Sequence, residues 1–254
     1  SSQILQQTGG SILDVHGGSV CLMNQHASGL LKVSVPVGFG QKHLAPLWND
    51  FLRAHPRLSL DVQLADRVVD LVDEGFDLAV RIARLPDSSL ISRQIAATRL
   101  VMCASPEYLQ RRGVPKHPDE LAVHDVIGYS LLSTGDQWHL EGPNGPVTVK
   151  LKPRMWTNNG IASVAAAACG AGIDLQPTFL VAEELADGRL VQVMPEYQAV
   201  ELGIYLVYPS RKLVLPKVRV LVDFLSREFA NVNWQHIKKS NQLDTSSREK
   251  DVRS

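Results

Sequence analysis

Two short stretches place hydrogen-bond donors where a small acidic molecule could use them: "PVGFG", residues 36–40, and "TNNG", residues 157–160. The first links an apolar strand to a segment with helical spacing, and the second is the polar start of an alanine-rich helical segment. The first N–H groups of such a helix lack an intrahelical partner. Through Val37, Gly38, Phe39 and Gly40 the first turn offers backbone donors only. The same glycines also suit a plain connection that merely packs tightly. In the second turn Asn158 or Asn159 can cap the alanine-rich segment that follows, or aim its amide at a ligand beside the free N–H groups. Arg81, in "AVRIA", needs a partner in so apolar a run, either a ligand carboxylate or a structural ion pair. Pro177, in "LQPTF", is expected to shape the wall of the ligand site on the second unit's side, with Thr178 the expected N-cap of the next helix.

These residue types bind; they do not assemble a catalytic set. GxSxG, HExxH and GxxxxGK[ST] are all missing. "GAG" at 170–172 follows a helical segment and enters a strand, the reverse of a dinucleotide loop. The eight histidines are dispersed, and Cys21, Cys103 and Cys169 form no CxxC pair, so no metal, cofactor or disulfide framework is expected. Lys plus Arg, at 26, equals Asp plus Glu, at 26, which leaves no global positive charge to favour nucleic acid. No stretch reaches the roughly 18 apolar residues of a membrane span. Glycines and polar residues interrupt the first 20 positions, against a secretory leader. The expectation is a soluble, cytoplasmic protein that is not an enzyme.

The elements that must hold these turns alternate regularly. "LLKVSVP" reads as a buried strand, "FGQKHLAPLWNDFLRAH" as a helix and "LSLDVQL" as a strand. "DRVVDLVDEGF" then reads as a short helix capped by Asp66, and "DLAVRIA" as a strand. That series points to a parallel, doubly wound sheet. After "ISRQIAATRLVMCAS" comes a second unit, with hairpin strands about "PNGP", the alanine-rich helix, "IDLQP", "TFLVAEELADG" and "RLVQVMP". The chain leaves the first unit near Cys103 and returns near Tyr208, where "LGIYLVYPS" and "LPKVRVLVDFLSREFA" supply a last strand and helix. Two units with two crossings enclose a cleft, which suits a small ligand and hinge motion.

At "GLLKVSVPVGFG", "HPRLSLDVQLADRVVDLVDEGFDLAVRIARLPDSSLISRQI", "CASPEYLQRRGVPKHPDEL" and "AGIDLQPTFLVAEELADGRLVQVMP", the sequence resembles the effector-binding domain of LysR-type bacterial transcription regulators, over residues 29–231. The resemblance implies an α/β, two-lobed periplasmic-binding-protein-like (type 2) fold, its two subdomains joined by two crossing strands. It divides the chain into an atypical leader (1–28), subdomain I (29–104), subdomain II (105–204), a return to subdomain I (205–234) and a disordered tail (235–254). It implies a small organic anion as inducer in the cleft, and a homodimer pairing 40–54 of one copy with 161–171 of another. Relatives often carry Ser or Thr at the place of Gly38 and Asp at that of Asn159; both departures bear on ligand class. The alternatives from other classes are a free-standing cytoplasmic solute-binding protein and a nonfunctional regulator fragment.

In such regulators a winged helix-turn-helix and a linker helix precede "GLLKVSVP", and residues 1–28 resemble neither. The reading is a regulator that has lost its DNA-reading half, or a misread upstream frame joined to the domain at about Met23 to Ser28. DNA is then contacted only through a helix-turn-helix absent from this chain. The expected result is no mobility shift of duplex DNA at protein concentrations near ~10⁻⁶ M, the tight end of nonspecific binding. A salt-dependent shift would refute it.

Overall fold

The computed structural model describes residues 27–84, 91–209, 214–232 and 234. Most of the leader and all of the tail therefore lie outside the described residues. The strands are β1 (Gly29–Val35), β2 (Leu58–Leu64), β3 (Leu78–Ala83), β4 (Ile91–Ala104), β5 (Ile127–Tyr129), β6 (Gln137–Gly142), β7 (Gly145–Lys150), β8 (Met155–Thr157), β9 (Asp174–Pro177), β10 (Val191–Gln192), β11 (Gln198–Ala199) and β12 (Glu201–Tyr208). The first helical segment, α1, spans residues 37–54. It opens as an α-turn at Val37–Phe39, widens to a π-helix at Gly40–Leu44, tightens to a 3-10 turn at Ala45–Leu47 and ends as α-helix Trp48–Ala54. The others are α2 (Pro106–Arg112), α3 (Gly160–Ala168), α4 (Thr178–Ala186) and α5 (Pro216–Glu228).

The main sheet runs β2-β1-β3-β12-β4-β10, with β9 also on β4. β1, β2 and β3 are parallel, as the alternating pattern predicts, but β12 enters antiparallel between β3 and β4. The sheet is therefore mixed rather than wholly parallel. A strand returning from a distant unit is not bound by the crossover rule that keeps neighbouring βαβ strands parallel. β4 pairs with β12 over its first part and with β9 over Leu100–Cys103, so one strand serves both units. Beside it the return passage runs through Val200, whose carbonyl accepts from Leu100 N–H at 3.4 Å. The pairing of β12 with β4 shifts register between Ile204 and Tyr205, where Ile204 faces Ala96 and Tyr205 faces Gln94. The burial of β12 becomes complete only from Gly203 onward, which is why its hydropathy announces it late.

Residues 66–76 are turns, not the helix expected from "DRVVDLVDEGF". Local side chains capture the backbone there: Asp70 accepts from the N–H groups of Val72 and Asp73, and Arg67 grips Glu74 through two bonds of 2.8 and 2.6 Å. Such bonds compete directly with a helical ladder. Val69, Leu71 and Phe76 still point inward, onto Ala79, Tyr205 and Val207.

One apolar cluster unites the units. It contains Leu31, Val33, Phe51, Leu78 and Leu206 of the first, and Val164, Ala167, Phe179, Leu180 and Val181 of the second. α5 adds Val218, Leu221, Leu225 and their neighbours, fixed at its start by Lys217, which reaches Asp77 at 2.7 Å and the Leu30 carbonyl at 2.7 Å. A second cluster, with Tyr108, Leu121, Trp138 and Ile173, supports α2 and the β6–β7 hairpin.

Candidate functional site

The parallel pairing of β1 with β2 brings their carboxyl ends together, the edge of an α/β sheet where ligands bind. Ala65 N–H donates to the Val35 carbonyl at 2.9 Å, which carries the chain alongside β1 and sets Asp66 next to the 36–40 turn. Pro36 is the N-cap of α1 and has no donor of its own. The Val37 N–H is taken by Asp66 Oδ1 at 2.9 Å. Across the cleft, Asn159 caps α3, its Oδ1 accepting from Ala162 N–H at 2.9 Å, while its Nδ2 donates to Asp66 Oδ2 at 3.4 Å. Asp66 thus touches both turns. Burial raises its pKa above the usual carboxylate range, and the bond from Val37 opposes that rise. Tyr129, on β5 beside Thr157, is also half-buried; burial first, then the charge of Asp66, pushes its hydroxyl up to about 12.

The residues singled out from sequence separate on inspection. Gly38 is buried at the meeting of the lobes, where a Cβ would stand 2.8 Å from Leu180 Cδ1 and 3.7 Å from Ile161 Cγ1. Leu180 thus closes the space beside Gly38 to any side chain unless it moves. Gly40 faces Leu64 and Val35 of its own lobe and is a packing glycine. Val37 contributes its N–H, and Phe39 is fully buried, its ring within 6 Å of Phe179, Phe229, Trp234 and His43. Of the two asparagines, Asn159 is the cap and reaches across; Asn158 is exposed. Arg81 stands two residues past the Ser34–Ala79 partner pair, level with Pro36, and donates Nη2 to the Val69 carbonyl at 2.7 Å. Its Nε is buried with no partner among the described residues. Pro177, rather than Thr178, is the N-cap position of α4. The Thr178 hydroxyl is engaged with Thr98 Oγ1 on the crossing strand and with the Trp234 carbonyl.

Sequence reasoning missed Asp66 as a site residue because it read that carboxylate as the cap of the helix after β2. It missed Leu180 and the lobe-to-lobe contacts of α1 entirely. Lys42 Nζ reaches the Leu180 carbonyl at 3.0 Å, Glu183 at 3.0 Å and Glu184 at 3.5 Å. His43 donates Nε2–H to the Phe179 carbonyl at 3.1 Å, and burial lowers its pKa. A lysine and a histidine at adjacent positions carry no periodic signal. Cys103 is fully buried, and desolvation with the nearby Asp174 and Glu184 drives its thiol up, so it is no thiolate. Among the described residues no three His, Cys, Asp or Glu side chains cluster as metal ligands, and no helix is long and apolar enough to cross a membrane.

The arrangement is one of recognition: donors of two lobes converge on one carboxylate. The LysR substrate binding domain model matches residues 24–230. An uncharacterized HTH-type transcriptional regulator of Haemophilus influenzae is 35% identical over 206 residues, 81% of this chain and 72% of that one. The regulator DmlR of Escherichia coli is 34% identical over 212 residues, covering 82% and 68%. Among solved structures, CrgA of Neisseria meningitidis, a LysR-type regulator, superposes with a TM-score of 0.75 at 28% identity, covering 84% of this chain and 72% of that one. The Vibrio cholerae virulence activator AphB gives 0.71 at 29%, covering 83% and 72%. The two-lobed, periplasmic-binding-protein-like architecture is theirs as well, and it serves regulation rather than catalysis. This chain therefore belongs to the LysR-type transcriptional regulators, whose substrate binding domain occupies residues 24–230.

Proposed function

We propose that the domain senses a small organic anion in the cytoplasm, held between the turns at 36–40 and 157–160. One observation carries this reading: a carboxylate, that of Asp66, already lies between Val37 N–H and the Asn159 amide. The donors of the two lobes are thus spaced to share an acidic group. Arg81, with its buried Nε, supplies a cationic neighbour at the same end of the sheet. A ligand that binds one lobe arrangement better than another shifts the population toward it, and the contacts of Lys42 and His43 on α4 are those that must rearrange.

We further propose that copies pair through residues 40–54 and 161–171. Leu52, Ala162 and Ala165 are exposed on those segments, and Trp48 is partly so. Ile161, Val164, Ala165 and Ala168, with Lys42, line a pocket of about 100 Å³ between α3 and α4 that a partner's side chain could enter.

The cleft is tested by screening organic acids for a thermal shift and repeating the measurement on Gly38→Trp. An indole at Gly38 must displace Leu180, whose methyl already lies 2.8 Å from the Cβ position, and fill the gap between the lobes. A hit acid should lose at least tenfold in affinity, since such a side chain both occupies the site and holds the lobes apart. Unchanged affinity in a folded Gly38→Trp protein would place the ligand elsewhere.

A further inference from the structure

We propose that Asp66 is a tethered competitor for the effector's acidic group, a residue that sets which anions the cleft accepts because an effector must displace it. The inference rests on the cleft reading above and adds a determinant of specificity to it.

Asp66 is held differently from Asp77 and Glu184, two acids withdrawn from water that carry ion pairs. Asp77 has Lys217 at 2.7 Å and the Lys32 N–H at 2.9 Å. Glu184 has both Lys42 and Arg189. Asp66 has no cation in ion-pair range among the described residues. Two neutral donors hold it, one from each lobe, and the bond to Asn159 is long at 3.4 Å. A carboxylate removed from water without a counter-charge is weakly anchored. It needs only a side-chain rotation from a turn segment to reach solvent, since the following residues, Arg67 and Val68, are exposed.

Its position is nevertheless the one an anion would seek. Val37 N–H and Asn159 Nδ2 approach it from opposite lobes, and the half-buried phenol of Tyr129 stands near enough to feel the charge of Asp66. A group fixed on a short tether competes at an effective concentration on the order of millimolar. Acids that bind these donors no better than a free carboxylate are excluded while their concentration stays below that value; those with additional contacts to the cleft displace Asp66 and enter. Selection against small metabolic acids is then built into the chain.

The test uses the full chain, sodium acetate as probe, and sodium chloride at matched ionic strength as control. Asp66→Gly removes the internal carboxylate and leaves a gap of its size. Asp66→Ala likewise frees the Val37 and Asn159 donors and, with less backbone freedom than glycine, serves where the glycine variant does not fold. Either variant should show a saturable rise in Tm with acetate, roughly 3–6 °C at ten times its Kd, while wild type shows none. Adding Asn159→Ala should weaken that response at least tenfold. A residue that only caps α1 would lower the starting Tm without creating any acetate response, so the response is the decisive readout. Equal response in wild type, no response in either variant, or a response that survives Asn159→Ala overturns the inference. The outcome is separable from that of the cleft itself. A screened acid lost in Gly38→Trp with no acetate effect at Asp66 leaves the cleft and removes the competitor; the converse pattern removes the cleft as effector site.

Discussion

Asp174→Asn is expected to stabilise the domain by roughly 3 kcal/mol at pH 8 and to change it little below pH 4, because burial raises the Asp174 pKa from 3.8 to about 6. Asp174 is 1% exposed at the start of β9, opposite Cys103 of β4. Ser163 donates to Oδ2 at 2.7 Å; Leu175 N–H and Gln176 Nε2 donate to Oδ1 at 2.9 and 3.1 Å. These donors favour the charged form, yet desolvation is the larger effect and no cation relieves it among the described ion pairs. The folded state therefore holds its proton to higher pH than the unfolded chain. Below about pH 3.8 both states are protonated and nothing is lost. As pH rises toward 6 the unfolded state alone releases the proton, and stability falls; above 6 the loss is complete. Asparagine preserves the network, since its oxygen accepts from Leu175 and Gln176 while its amide donates to a rotated Ser163 hydroxyl. Urea melts of both proteins from pH 4 to 8 decide the matter. A difference between them that stays constant across that range would show that Asp174 does not titrate between folded and unfolded states.

The same residue shows where sequence reading stops. "IDLQP" declares a short strand through its apolar alternation, and β9 is where that places it. Nothing local says that its aspartate is sealed beneath α3 against a serine eleven positions earlier, because Ser163 is equally ordinary on a helix surface. The turns at 36–40 and 157–160 were legible for a related reason: strand-to-helix junctions carry Pro, Gly and Asn punctuation whatever lies across from them. What faces them was not. Leu180 meets Gly38 over 142 positions and Lys42 meets Glu184 over 142, and neither pair leaves a periodic trace. The turn segment 66–76 misled because apolar Val69, Leu71 and Phe76 imitate a helical stripe, while Asp70 and Glu74 bind the backbone in a way only tertiary placement rewards. The insertion of β12 was hidden by its exposed beginning at Glu201.

Two glutamates placed two residues apart on α3 are expected to do opposite things. Ala167 is 0% exposed, packed in the cluster that joins the lobes, whereas Ala165 is exposed on the rim of the pocket beside Lys42. Positions i and i+2 lie on different helix faces, so the contrast follows from helical geometry. The burial of Ala167 makes it unsuitable for testing an interface, although the smooth run "SVAAAAC" gives no hint of which alanine faces inward. Ala167→Glu forces an unpaired carboxylate into a packed core, at a cost of several kcal/mol against a typical net stability of about 5–15 kcal/mol. It should lose cooperative unfolding or fail to accumulate as folded protein. Ala165→Glu should unfold within about 0.5 kcal/mol of wild type, as surface substitutions do. If copies pair through 40–54 and 161–171, the new charge acts twice in an isologous contact, near Glu184, and the dimer should weaken at least tenfold by sedimentation. The pairing fails if Ala165→Glu dimerises like wild type, or if wild type remains monomeric at high micromolar concentration. The placement of the helix fails if Ala167→Glu folds with unchanged stability, since that outcome requires residue 167 to face water.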